Sequence, residues 1–220
     1  GDPRPGNAKF KKLTPVDENS ANPYTLTDDD RTVIGNTTPK FSGGFGLNAT
    51  FKGFDVSAFF NFMYDFDVFN ANKVMMTTWA SNNYNNFSMD ISAAKRWRNF
   101  DDMGNEIRYS PEILAEFNKN ATMWNPTSIG RPIAMSYAVE DGSFLRLNTA
   151  TIGYTLPRAW TNKVGLSRVR FYASGYNLFT ITGYSGYDPE VDIATGLTPN
   201  IDNNRYPRSR TYTFGVQLTF

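Results

Sequence analysis

The segment Thr211-Tyr212-Thr213-Phe214-Gly215-Val216-Gln217-Leu218-Thr219-Phe220 places an apolar side chain at every even position and a polar residue or glycine at every odd one. Successive side chains on a strand point to opposite faces, so this segment has one wholly apolar wall and one polar wall. Its length matches the roughly 9–11 residues of a transmembrane β-strand. An end on Phe220, with no polar tail, is expected of a barrel strand more than of a soluble sandwich.

Composition narrows the alternatives. The chain has no cysteine and no histidine, which removes disulfides, thiolate or imidazole metal sites, Ser-His-Asp triads and the usual neutral-pH proton shuttle. A net charge of +1 gives no electrostatic reason to expect nucleic acid. The mean hydropathy is −0.46 and no apolar run approaches the roughly 20 residues of a membrane helix. A barrel is compatible with that value, because lumen-facing polar residues dilute the average. Aromatics make up 15% of residues, as aromatic belts require. No apolar signal segment opens the chain, so a piece of a longer exported protein is expected.

Four further segments alternate. Phe41, Gly43, Phe45, Leu47, Ala49 and Phe51 share a face, as do Phe54, Val56, Ala58, Phe60, Phe62 and Tyr64. Lys52-Gly53 between them reads as a tight hairpin turn. Ala150, Ile152, Tyr154 and Leu156 form a third apolar row, and Val169, Phe171 and Ala173 a fourth. Strands are therefore expected near 40–51, 54–64, 144–156, 167–179 and 210–220, with the fourth leaving the bilayer after Gly175. Leu145 and Leu147 are out of phase with the row from Ala150, which predicts a bulge near Asn148 or a separate rim strand. The connections alternate between short (52–53 and 157–166) and long (65–142 and 182–208). Long extracellular loops and short periplasmic turns are the pattern of outer-membrane barrels. Five strands cannot close such a barrel, and open edges in lipid leave backbone groups unpaired. The expected fold is all-β: an antiparallel transmembrane β-barrel represented by its last five or so strands.

Several phrases resemble a known family. Asp30-Arg31-Thr32-Val33-Ile34-Gly35-Asn36 with Pro39-Lys40-Phe41 resembles the loop leading into a strand of SusC-like (SusC/RagA) TonB-dependent outer-membrane transporters. So do Glu140-Asp141-Gly142-Ser143-Phe144-Leu145-Arg146-Leu147, Gly153-Tyr154-Thr155-Leu156-Pro157 and Gly175-Tyr176-Asn177-Leu178-Phe179-Thr180. Tyr184-Ser185-Gly186-Tyr187-Asp188-Pro189-Glu190 and Tyr206-Pro207-Arg208-Ser209-Arg210-Thr211-Tyr212 continue the match in order. The resemblance implies a barrel of about 22 strands, of which residues 1–220 are the C-terminal part, with the plug and TonB box outside this chain. It implies a Gram-negative outer-membrane, non-enzymatic importer of oligosaccharides or peptides. The implied partners are a SusD-like surface lipoprotein, TonB through the missing N-terminal part, and lipid. The competing readings are a soluble secreted glycan-binding β-domain and an ordinary porin piece.

Candidate sites follow from residue type. Trp79, Tyr84, Trp97 and Trp124 lie among many Asn and Ser in the long loop, a mixture suited to sugar or partner contact, while packing of the loop's own core also accounts for them. Segments 88–99 and 111–119 read as short helices there. Tyr184 and Tyr187 join the contact candidates through the resemblance. Arg168 and Arg170 fall on the lumen face near the periplasmic end, for contact with the plug or with acidic wall residues. Relatives of this family often carry a calcium-like loop after a Lys-aromatic-Lys strand. Here Lys9-Phe10-Lys11 is followed only by Asp28, Asp29 and Asp30, too irregular for the six to eight oxygens Ca²⁺ takes. No metal, cofactor or catalytic residue is expected; Pro189 makes Asp188 and Glu190 a turn rather than a catalytic pair.

Overall fold

The computed structural model describes residues 4–16, 18–79, 86–129, 133–191 and 199–220. The chain forms two units, one from Gly1–Ile34 with Asn70–Ala138 and one from Gly35–Phe69 with Val139–Phe220.

The second unit is built on a five-stranded antiparallel sheet. β1 (Phe41–Phe51) and β2 (Phe54–Tyr64) form a hairpin, followed after β3 (Asp67–Asn70) and β4 (Val139–Asp141) by β5 (Phe144–Thr155). β6 (Arg168–Thr182), β7 (Ile201–Asp202) and β8 (Thr211–Thr219) complete the strands, and the large sheet has the order β1-β2-β5-β6-β8. The hairpin turn has positive φ at both Lys52 (47°) and Gly53 (88°), the geometry whose twist matches that of the flanking strands. The register aligns every apolar row: Phe45 with Phe60, Val56 with Ile152, Tyr154 with Phe171, and Phe171 with Val216. One face is therefore continuous and apolar, and most of its large side chains are exposed, Val169 and Leu147 being the buried ones. Phe51 is 70% exposed, Phe214 78%, Val216 54% and Leu218 50%. A soluble β-sandwich would bury this wall under a second sheet; an apolar surface of this extent marks contact with lipid or protein.

The phase conflict between Leu147 and Ala150 is resolved by a bulge. Phe59 pairs with Thr149 and Phe60 with Leu147, which leaves Asn148 unpaired and brings Leu145 and Leu147 onto the apolar face beside Phe62 and Phe60. On β6 the same level holds Asn177, at φ 52°. Beyond it the strand, expected to end near residue 179, runs on to Thr182, paired with Phe144. The extra residue restores the pairing phase, and the partner strand carries the ladder onward. All short connections lie at one end of the sheet and all long ones at the other.

At the long-connection end a second, three-stranded sheet has the order β4-β3-β7. Sequence patterning misses it because strands of two to four residues carry no readable period. Its Phe66 and Val68 form a small core with Phe144, Tyr184 and Val191, against which Met63 packs. Met63 and Phe144 are register partners on the polar face of the large sheet. The small sheet therefore folds over the polar face, not the apolar one.

In the first unit, helix α1 (Ala71–Met75) is capped by Asn70, whose Oδ1 accepts from the Lys73 amide at 3.0 Å. Helix α2 (Pro111–Phe117) begins on proline, where no amide is missed. The helix expected over 88–99 is a single 3₁₀ turn, Met89–Ile91. Beyond it the backbone of Trp97 donates to the Met123 carbonyl at 2.8 Å, so tertiary pairing displaces the helix. A short helix, α3 (Arg158–Thr161), sits in the turn between β5 and β6.

Candidate functional site

The polar face of the large sheet is closed by its own side chains. Thr151 and Ser174 hydroxyls lie 2.8 Å apart. Arg170 on β6 reaches past β5 to Asp55 on β2, donating through Nε at 2.9 Å and through its terminal nitrogen. It crosses above Gly153, where an added Cβ would stand 2.6 Å from Arg170 Nε and 2.6 Å from Asp55 Oδ1. Arg168 donates to Thr155 at 3.3 Å. Both arginines expected on this face are thus engaged with the wall itself.

At the long-connection end a charged cluster ties the segment after β6 to the same face. Arg146 is register partner to Asn61 on β2, and its side chain is 3% exposed. It donates to Asp188 at 2.5 Å, and its Nε lies 3.5 Å from Glu190. Glu190 in turn accepts from Arg208 at 2.6 Å. Burial pushes the Asp188 carboxyl up, but the hydrogen bonds from Arg146 and from the Glu190 and Arg208 amides outweigh it and hold it below the usual carboxylate range. Three residues before Asp188, the Ser185 amide and hydroxyl donate to Glu140 at 2.9 and 2.8 Å. The Tyr184 hydroxyl donates to Asp202 at 2.7 Å. Burial, then that bond, raises the Tyr184 phenol well above its ordinary value, so it remains a donor at neutral pH.

Tyr184, one of the expected contact residues, is a core residue, 6% exposed, clustered with Phe66 and Val191. Tyr187, three residues on, is 84% exposed. In the first unit Trp124 donates its indole N–H to the Thr77 carbonyl at 3.1 Å and meets Tyr137 edge-on at 4.8 Å. The Trp97 ring lies against Gly6, whose neighbourhood is fixed by the Asn125 amide bonding the Gly6 carbonyl at 2.8 Å. Trp97 and Trp124 therefore pack within the excursion. Trp79 is 47% exposed and stacks on Phe87 at 5.6 Å. Tyr84 lies outside the described residues.

Asp30 is occupied by the chain: its oxygens accept from the amides of Leu13, Thr14 and Thr27 and from the Thr14 hydroxyl at 2.8–2.9 Å. These bonds, led by the Thr14 and Thr27 amides, hold its carboxyl far below the usual range. Asp28 pairs with Arg31 at 2.8 Å. The acidic run Asp28, Asp29 and Asp30 forms a 3₁₀ turn that staples residues 12–14 to 27–30.

Arg146, Glu140 and Asp202 were not singled out by sequence reasoning. Arg146 was the legible one: a charged residue set between apolar neighbours in Phe144-Leu145-Arg146-Leu147 implies a dedicated partner.

No family model matches the chain. It is 32% identical over 226 aligned residues to TonB-dependent receptor P3 of Formosa agariphila, across 100% of this chain and 20% of that protein. It is also 32% identical over 164 residues to TonB-dependent receptor SusC of Bacteroides thetaiotaomicron, across 68% of this chain and 15% of that one. The solved RagAB peptide transporter superposes over 89% of this chain and 19% of that chain, with a TM-score of 0.67 and 25% identity. A closed-closed state of the RagAB peptide importer gives a TM-score of 0.66 at 26% identity. The chain spans about a fifth or less of the length of these relatives. Its continuous apolar wall, its polar face and these likenesses agree: the chain belongs to the SusC-like TonB-dependent transporters of the outer membrane and is a segment of their β-barrel.

Proposed function

We propose that this chain is the C-terminal part of the barrel of an importer that takes up oligosaccharides or other oligomeric nutrients with a SusD-like surface lipoprotein. TonB engages parts of the protein outside this chain. The observation that carries the reading is the pairing of a bare apolar wall with a self-satisfied polar wall across five strands, with every long connection at one end. That arrangement suits a lipid-facing exterior, a solute-facing interior and an extracellular loop end. In this reading the connections 65–142 and 182–208 are extracellular and the turns at 52–53 and 157–166 periplasmic. Trp79 and Tyr187 are the exposed candidates for solute or partner contact, and Arg168 and Arg170 consolidate the wall near its periplasmic end.

The test is uptake of labelled oligosaccharide by cells carrying the full-length protein, with and without TonB, together with co-purification of a surface lipoprotein. Removing residues 75–130, which include no strand of the large sheet, is expected to abolish lipoprotein capture and uptake while the barrel still assembles. Uptake that persists without TonB overturns the reading.

A further inference from the structure

The segment Tyr184–Val191 is tied down at almost every residue except one. Tyr184 and Val191 are in the small core, Ser185 is bonded to Glu140, Asp188 to Arg146, and Glu190 to Arg208. Pro189 fixes the backbone between the two carboxylates. Tyr187 alone projects, 84% exposed, beside Gly186, which adds no side chain to shield the ring. A loop held this firmly normally buries its aromatics, because exposing a phenol ring forgoes apolar burial. Holding one out on a rigid support is the arrangement that favours binding: the ring's ordering cost is already met before a ligand arrives.

We propose that Tyr184–Glu190 is a fixed lip over the polar wall of the barrel, that Tyr187 is its stacking platform for the ring face of a neutral sugar, and that Arg146 is the positioning residue that holds the lip in place. The choice of a neutral sugar follows from the charges. Asp188 and Glu190 are both paired with arginines, 146 and 208, so the ground beside Tyr187 offers no unpaired charge among these four groups to select a charged terminus. The inference rests on the import reading and names the solute-contacting element within it.

The experiment uses the full-length transporter in detergent, with calorimetric titration of dextrin, cello-oligosaccharides and xylo-oligosaccharides, and of a tryptic digest of casein for comparison. Tyr187→Ala is expected to weaken binding of the sugar that wild type takes by about tenfold, while Tyr187→Phe, which keeps the ring, stays within about twofold. Arg146→Met keeps the Tyr187 side chain but frees the lip that carries it, and is expected to weaken the same sugar comparably, with Arg146→Lys recovering part of the binding. A nitroxide on Tyr187→Cys is expected to report an immobile backbone that Arg146→Met loosens. Heat-modifiable gel mobility checks that each variant has assembled. Unchanged sugar binding in Tyr187→Ala, or a label already mobile beside an intact Arg146, overturns the proposal. Wild type that binds the casein digest and none of the sugars overturns the sugar assignment and leaves the import reading standing. Binding of neither, with no TonB-dependent uptake of either, removes the import reading as well.

Discussion

At the scale of single residues, two contacts set the polar wall. The Asp55–Arg170 pair exists only because position 153 has no side chain to stand between them. Gly153→Ala is expected to part the pair and cost about 1–3 kcal/mol by overpacking, seen as a lower temperature for heat modification of the assembled barrel; an unchanged midpoint would show that Arg170 has another route. Asp188 carries a pH dependence of definite sign. Its folded-state value is depressed below the unfolded one of about 3.9. Its contribution is therefore fully present above that unfolded value and is lost as pH falls through the folded one. Amide exchange of the lip is expected to accelerate only on acidification into that range, and Asp188→Asn to flatten the profile. Asp30 has the same sign of dependence, and Asp30→Asn is expected to release the amides of Leu13, Thr14 and Thr27 to exchange.

At the scale of elements, β8 makes the face assignment testable. Leu218 lies on the bare apolar wall and Gln217 on the polar one, facing Arg170 across the register. Leu218→Arg is expected to cost about 2–4 kcal/mol if it sits near the bilayer midplane, and Gln217→Arg much less, as read by urea-induced unfolding in lipid vesicles. Equal costs would mean that the two faces are not differently solvated. The strands of the large sheet were legible because long alternating runs mark β1, β2 and β8 and shorter alternating rows mark β5 and β6, and the phase break at Leu147/Ala150 pointed to the unpaired Asn148. The lip was not legible. Arg146 and Asp188 are 42 residues apart, and β3, β4 and β7 are too short to show a period. The aromatics of the excursion were visible as residues, but composition cannot separate a packed indole such as Trp124 from an exposed one such as Trp79.

At the scale of the whole molecule, the large sheet has open edges at β1 and β8 among the described residues and a largely exposed apolar wall. Residues 1–220 expressed alone are expected to aggregate or to require denaturant; a monomer unfolding cooperatively in plain buffer would contradict the barrel assignment. A cysteine at Met103, which is 85% exposed, is expected to react with an impermeant maleimide on intact cells carrying the full-length protein. Reaction only after the outer membrane is breached would reverse the strand directions.

The bulge level has a consequence for how such a wall can change. Between the row Ala58–Ala150–Gly175 and the row Phe60–Leu147–Phe179, β2 spends one residue (Phe59), β5 two (Thr149 and Asn148) and β6 three (Tyr176, Asn177 and Leu178). The strands lengthen in steps across the sheet, so the upper courses fan away from the lower ones along a seam. Insertions or deletions above that seam can be absorbed there without sliding a single pair below it. Chimaeras that exchange everything above Asn148 and Asn177 between relatives should therefore inherit a new mouth on an unaltered hoop, whereas crossovers placed one turn lower would have to re-thread every strand.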